Sequence, residues 1–155
     1  MSKALASIAL AIAVLLIAPA RAADRPVVTL SQGALSGRID AHGMHVFKGI
    51  PYARPPVGDK RWTAPVAASG WAGVRDASDF GASCLEPPWP TQSIYADYPP
   101  KFSEDCLFLN VWTPPQAKKA PVIVWIHGGG LVYGGSWEPY YDRSEEHTSE
   151  LQSPC

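Results

Sequence analysis

The chain has 155 residues, 16 prolines, 13 glycines and a formal net charge of −1. No basic stripe or block of like charge stands out, which argues against nucleic acid or an anionic membrane surface as a partner. The prolines and glycines gather chiefly in residues 50–58 and 87–100, with aromatics interleaved, so these stretches read as ordered loops and not as a disordered tract.

The chain opens Met1-Ser2-Lys3, runs apolar from Ala4 to Ala18, and continues Pro19-Ala20-Arg21-Ala22. One basic residue, an apolar core and an A-x-A site make a secretory signal peptide, with cleavage expected after Ala22. The apolar run is short for a membrane span. The alternative is an uncleaved anchor. On the first reading no stable membrane span remains after cleavage, and the mature protein is secreted or periplasmic.

Val27–Leu30 reads as a short strand. Residues 34–39 and 44–48 alternate enough to pair as a hairpin around Asp40-Ala41-His42-Gly43. Residues 50–60 form a crossing loop stiffened by proline. Residues 107–112 alternate as a strand that Pro114-Pro115 ends, and Lys118-Lys119 mark an exposed turn. Six apolar residues, Pro121 to Ile126, then predict a strand buried on both faces. The mature region has no strongly amphipathic helix.

His127-Gly128-Gly129-Gly130 follows that strand directly. Three glycines give a backbone without Cβ atoms, able to turn sharply and to bring its N–H groups close to a substrate. Acyl transfer needs donors of this kind, placed in advance, to hold a negative oxygen. An HGGG-type loop is the oxyanion-hole motif of lipases and esterases. The alternative is a glycine-rich turn after a strand, which is common.

Four stretches carry a closer likeness. They are Phe47-Lys-Gly-Ile-Pro-Tyr-Ala-Arg-Pro-Pro-Val-Gly58 with Arg61-Trp62; Trp71 to Asp76 with Phe80-Gly-Ala-Ser-Cys84; Ser103-Glu-Asp-Cys-Leu-Phe-Leu-Asn-Val-Trp112; and Val122 to Gly130. In this order they resemble the type-B carboxylesterases, the cholinesterase and carboxylesterase family, from about Val27 to about Asp142. The resemblance implies an α/β class: the N-terminal part of an α/β-hydrolase fold, with a small antiparallel edge hairpin and the first strands of the central sheet. It is incomplete, since roughly 120 residues are fewer than such a domain uses.

The resemblance also implies site residues. The N–H groups of Gly129 and Gly130 would line the oxyanion hole, and His127 would be structural. Of three cysteines, Cys84, Cys106 and Cys155, the first two match the family's first disulfide; two free buried thiols are the alternative. Arg61 and Glu104 match a buried ion pair, and two solvated surface charges are the alternative. The implied partner is a small-molecule carboxylic ester, with no cofactor. His42 and His45 read as surface hairpin residues without a third ligand for a metal. Trp89, Tyr95 and Tyr98 on the Cys84–Cys106 loop are expected to pack. Tyr133 and Trp137 either line a gorge or pack.

The serine nucleophile of such enzymes sits in G-x-S-x-G. Gly134-Gly135-Ser136-Trp137-Glu138 comes nearest, but Glu138 replaces the last glycine and no strand separates it from the glycine loop. Ser136 is therefore given no nucleophilic role, and the triad serine, acid and histidine are expected downstream. Residues 143–155 share nothing with the family and resemble translated sequencing-adapter DNA. The expected organisation is a signal peptide at 1–22, the N-terminal portion of a carboxylesterase domain at 23–142 and a non-native tail at 143–155. The expected function is carboxylic-ester hydrolysis in the intact protein. The alternatives are a non-catalytic, cholinesterase-like adhesion protein, or an inert truncated product.

Overall fold

The computed structural model describes residues 25–87 and 101–138. The signal segment, Trp89, Tyr95, Tyr98 and the expected tail lie outside the described residues.

Among the described residues, two three-stranded sheets form the frame. In the first, β1 (Val27–Leu30) pairs antiparallel with β2 (Gly33–Ser36), and β2 pairs parallel with β5 (Val74–Asp76). In the second, β3 (Arg38–Ile39) and β6 (Phe108–Thr113) flank the long β4 (His45–Pro51), both antiparallel to it.

The strand expected over residues 34–39 is thus two strands in two sheets. Gly37 is the break: a Cβ there would run into the Val46 carbonyl and the Phe47 ring. Only a residue without a side chain lets the backbone pass that close and change sheets. The hairpin turn lies where Asp40 to Gly43 place it. Asp40 Oδ1 accepts the N–H groups of His42 and Met44 at 2.9 and 2.8 Å, an Asx turn that satisfies backbone donors locally.

The core sits where the two sheets meet. Leu35, Phe47, Ile50 and Ala77 pack into one buried cluster with Trp71 against it, and Val46 is fully buried as well. Trp71 spends its one polar atom on the Ala34 carbonyl, 2.8 Å away, so the indole packs without an unpaired donor. Lys48 is also buried, with its ammonium 3.8 Å from the centre of the Phe80 ring and 5.5 Å from that of Trp112. An aromatic face partly replaces the water a buried cation loses. The register between β4 and β6 shifts between Phe47 and Ile50, a bulge centred on Gly49 at φ +63°. Asn110 of β6 takes the Gly49 N–H on its Oδ1 at 2.9 Å, so the bulge leaves that donor satisfied.

Two expectations are corrected. Residues 122–126 form no strand; Val122, Ile123, Val124 and Ile126 are 80–92% exposed. A strand exists through its ladder, and among the described residues no strand pairs with this segment. Arg61 and Glu104 do form an ion pair, but their side chains remain 51% and 38% exposed, so it is not buried. The short 3₁₀ turn Gly58–Lys60 ahead of Arg61 contains no buried residue, which leaves the guanidinium open to water. Among the described residues there is no α-helix, and no helix long and apolar enough to cross a membrane.

Candidate active site

The glycine loop leaves residues 122–126 through His127, whose Nδ1–H donates to the Gly128 carbonyl at 2.8 Å. That bond occupies one ring nitrogen with backbone and suits a structural histidine. Gly129 follows at φ +111° and Gly130 at φ +62°. A Cβ on Gly129 would collide with the Tyr133 carbonyl, whereas one on Gly130 meets open space. The Gly129 carbonyl accepts the N–H groups of Val132 and Tyr133, both at 3.1 Å, which closes a tight turn behind the glycines. Among the described residues, neither the Gly129 nor the Gly130 N–H donates a hydrogen bond.

The chain then returns through Gly134 to Glu138, and each step is tied down. The Gly134 N–H donates to Glu86 Oε2 at 2.9 Å. The Gly135 N–H donates to Glu138 Oε1 at 3.2 Å, and Glu138 is buried. Ser136 Oγ receives Asn110 Nδ2 at 2.7 Å, and Trp137 Nε1 donates to Ser83 Oγ at 3.2 Å. Ser136 is thus a structural hydroxyl held by β6. The sequence offers no spacing signal for Glu86, Asn110 or Ser83, because their partners lie 26 to 54 residues away.

The segment bearing Ser83 and Glu86 is fixed by two links. Cys84 and Cys106 are joined in a disulfide with an S–S distance of 2.04 Å. Ser83 also exchanges backbone hydrogen bonds with Lys101 and Ser103, both at 2.9 Å. Beside it, Arg61 grips Glu104 with two bonds, Nε to Oε1 at 2.5 Å and an Nη to Oε2 at 2.6 Å. The paired guanidinium holds the Glu104 carboxyl below its ordinary value, and the carboxylate raises Arg61 in turn.

A cavity of about 330 Å³ lies between this segment and the loop, lined among others by Tyr52, Phe80, Glu86, Phe108, His127 and Tyr133. Its walls combine aromatic rings with polar groups such as Ser83, Glu86 and Asn110, a mixture that small-molecule sites use to bind and orient a ligand. Among the described residues no group of histidine, cysteine, aspartate and glutamate could hold a metal ion.

The arrangement of the described residues is shared with solved structures. A PNB esterase structure superimposes with a TM-score of 0.70 at 41% identity, covering 76% of this chain and 24% of that one. A Geobacillus stearothermophilus carboxylesterase gives 0.64 at the same identity, covering 76% and 23%. The fold is therefore that of the α/β hydrolases, of which the described strands are an N-terminal part.

Residues 24–146 match the carboxylesterase family, and the chain belongs to it. It is 48% identical over 120 residues to the phenmedipham hydrolase of Pseudarthrobacter oxydans, covering 76% of this chain and 24% of that protein. It is 42% identical over 120 residues to the para-nitrobenzyl esterase of Bacillus subtilis, covering 77% and 24%. The chain spans about a quarter of the length of these relatives.

Proposed function

We propose that the protein hydrolyses small-molecule carboxylic esters through a serine nucleophile, and that residues 127–138 supply its oxyanion hole. The observation that carries this reading is the pair of left-handed glycines whose N–H groups donate to nothing among the described residues. When a nucleophile adds to an ester carbonyl, the oxygen gains a negative charge. The Gly129 and Gly130 amides would meet that charge with dipoles already oriented, so no reorganisation is needed during the reaction. A third donor would come from the residue after the nucleophile, which in this reading lies outside residues 1–155, as do the base and the acid. No cofactor enters the step. Residues 1–22 would direct export, and an oxidising compartment suits the Cys84–Cys106 bond.

The test is hydrolysis of 4-nitrophenyl acetate by the enzyme expressed from its gene in full, followed by trapping with a phosphonate that labels active serines. Turnover together with one labelled serine other than Ser136 is the expected result. A folded protein with neither would end this reading.

A further inference from the structure

Glu86 stands two residues beyond Cys84 in the chain, yet its carboxylate bonds the Gly134 amide on the far side of the cavity. We propose that Glu86 is a positioning residue for the glycine loop, and that the Cys84–Cys106 disulfide acts on hydrolysis through it. This rests on the oxyanion-hole reading above.

The argument begins with Gly134. It sits at φ +98°, and its Cα approaches the Gly128 carbonyl so closely that a Cβ would be 2.9 Å from that oxygen. Gly128 and Gly134 are thus the two feet of one narrow arch, and Gly129 and Gly130 stand on it. The turn inside the arch is closed by the Gly129 carbonyl. Whatever fixes Gly134 therefore fixes the direction of the two catalytic amides. Glu86 does this with a charge-assisted bond, about twice as strong as a neutral one. Its own position is set by the cross-link at Cys84, because only one residue separates the two. Opening the disulfide would free Glu86 from one side and leave the foot at Gly134 unpinned.

The role differs from that of a packing residue, since it needs an acceptor at one place. Glutamine keeps an Oε1 in that place; leucine has the same bulk and no acceptor; aspartate keeps the charge but withdraws it by one methylene.

The experiment uses the enzyme expressed from its gene in full and compares Glu86→Gln, Glu86→Leu and the oxidised and reduced wild type. Two readouts are taken: kcat and KM for 4-nitrophenyl acetate, and hydrogen exchange of the Gly134 amide. Displacement of a positioned group by about 1 Å costs on the order of a hundredfold. The expected result is a fall in kcat of about ten- to a hundredfold for Glu86→Leu, at a KM within about twofold, with Gly134 exchanging faster. Glu86→Gln, which keeps a neutral acceptor, should be impaired less than Glu86→Leu in both readouts, and reduction should reproduce the leucine variant. Glu86→Asp takes the place of Glu86→Leu if the latter does not fold. Unchanged kcat and Gly134 protection in Glu86→Leu, or in Glu86→Asp where it takes its place, a glutamine variant as impaired as leucine, or a reduced enzyme that keeps both would each overturn the proposal. An inactive wild type would sink the ester-hydrolase reading instead, and Gly134 exchange would still decide the role of Glu86.

Discussion

Asn110 ties two distant segments together with one side chain: its Oδ1 takes the Gly49 N–H at 2.9 Å, and its Nδ2 donates to Ser136 Oγ at 2.7 Å. The β4 bulge and the return of the glycine loop are thereby set against each other across β6. A double-mutant cycle on Asn110→Ala and Ser136→Ala should give a coupling of about 1 kcal/mol in unfolding free energy, the usual size of a partly buried neutral hydrogen bond. Asn110→Ala alone should cost more than Ser136→Ala, because it also strands the Gly49 N–H. Turnover should survive in Ser136→Ala, since that hydroxyl supports the loop. Urea titration gives the first two quantities and an ester assay the third; loss of all turnover in Ser136→Ala would make that serine more than a support.

The two oxyanion glycines should respond differently to alanine. At Gly129 the new methyl meets the Tyr133 carbonyl, so the loop has to open. Turnover should fall by about 10²–10³, the cost of losing one such donor, and stability should fall with it. At Gly130 the methyl meets open space, but φ is +62°, and a left-handed alanine costs about 1–2 kcal/mol. The backbone can relax out of that region and turn the amide away. Gly130→Ala should therefore lower kcat with a smaller shift in melting temperature than Gly129→Ala. Equal loss of stability in the two would contradict this assignment.

What sequence reading reaches, and what it misses, follows from the range of the interactions. The Asp40–Gly43 turn is legible because its hydrogen bonds close within four residues. The family likeness is legible because its motifs are contiguous words. The split of residues 34–39 at Gly37 is not, since the atoms that force it, on Val46 and Phe47, are distant in sequence and come close only after the hairpin forms. The ladder expected for residues 122–126 rests on composition, and composition records an apolar segment without naming its partner. Glu86 and Ser83 look like ordinary loop residues until the loop arrives beside them.

Leu35 is the packing centre of the β1–β2–β5 sheet, with no exposed surface. Leu35→Ala should cost about 2–5 kcal/mol, the transfer energy of the lost methyl groups plus that of the cavity left behind. Val27→Ala, on the same sheet but 60% exposed, should change stability by less than about 0.5 kcal/mol. Chemical denaturation of both variants checks the contrast, and similar losses would place the core elsewhere.

The Arg61–Glu104 pair predicts a pH dependence with a definite sign. Arg61 lowers the Glu104 carboxyl below its value in the unfolded chain. The folded state therefore binds that proton less readily than the unfolded state does. Stabilisation is fully present above the unfolded value, about 4.3, and disappears as pH falls through the lower folded value. Glu104→Gln removes the charge and keeps the shape. The stability gap between wild type and Glu104→Gln should be constant from pH 7 to about pH 5 and narrow below about pH 4. It should be small throughout, because both side chains are well exposed, and smaller still in 1 M salt. Asp76, held well below its ordinary value by Arg25 and Ser78, responds with the same sign, so the comparison needs Asp76 intact in both proteins. A gap that widened on acidification would mean that Glu104 is favoured in its protonated form, and that losing water costs the pair more than their attraction returns.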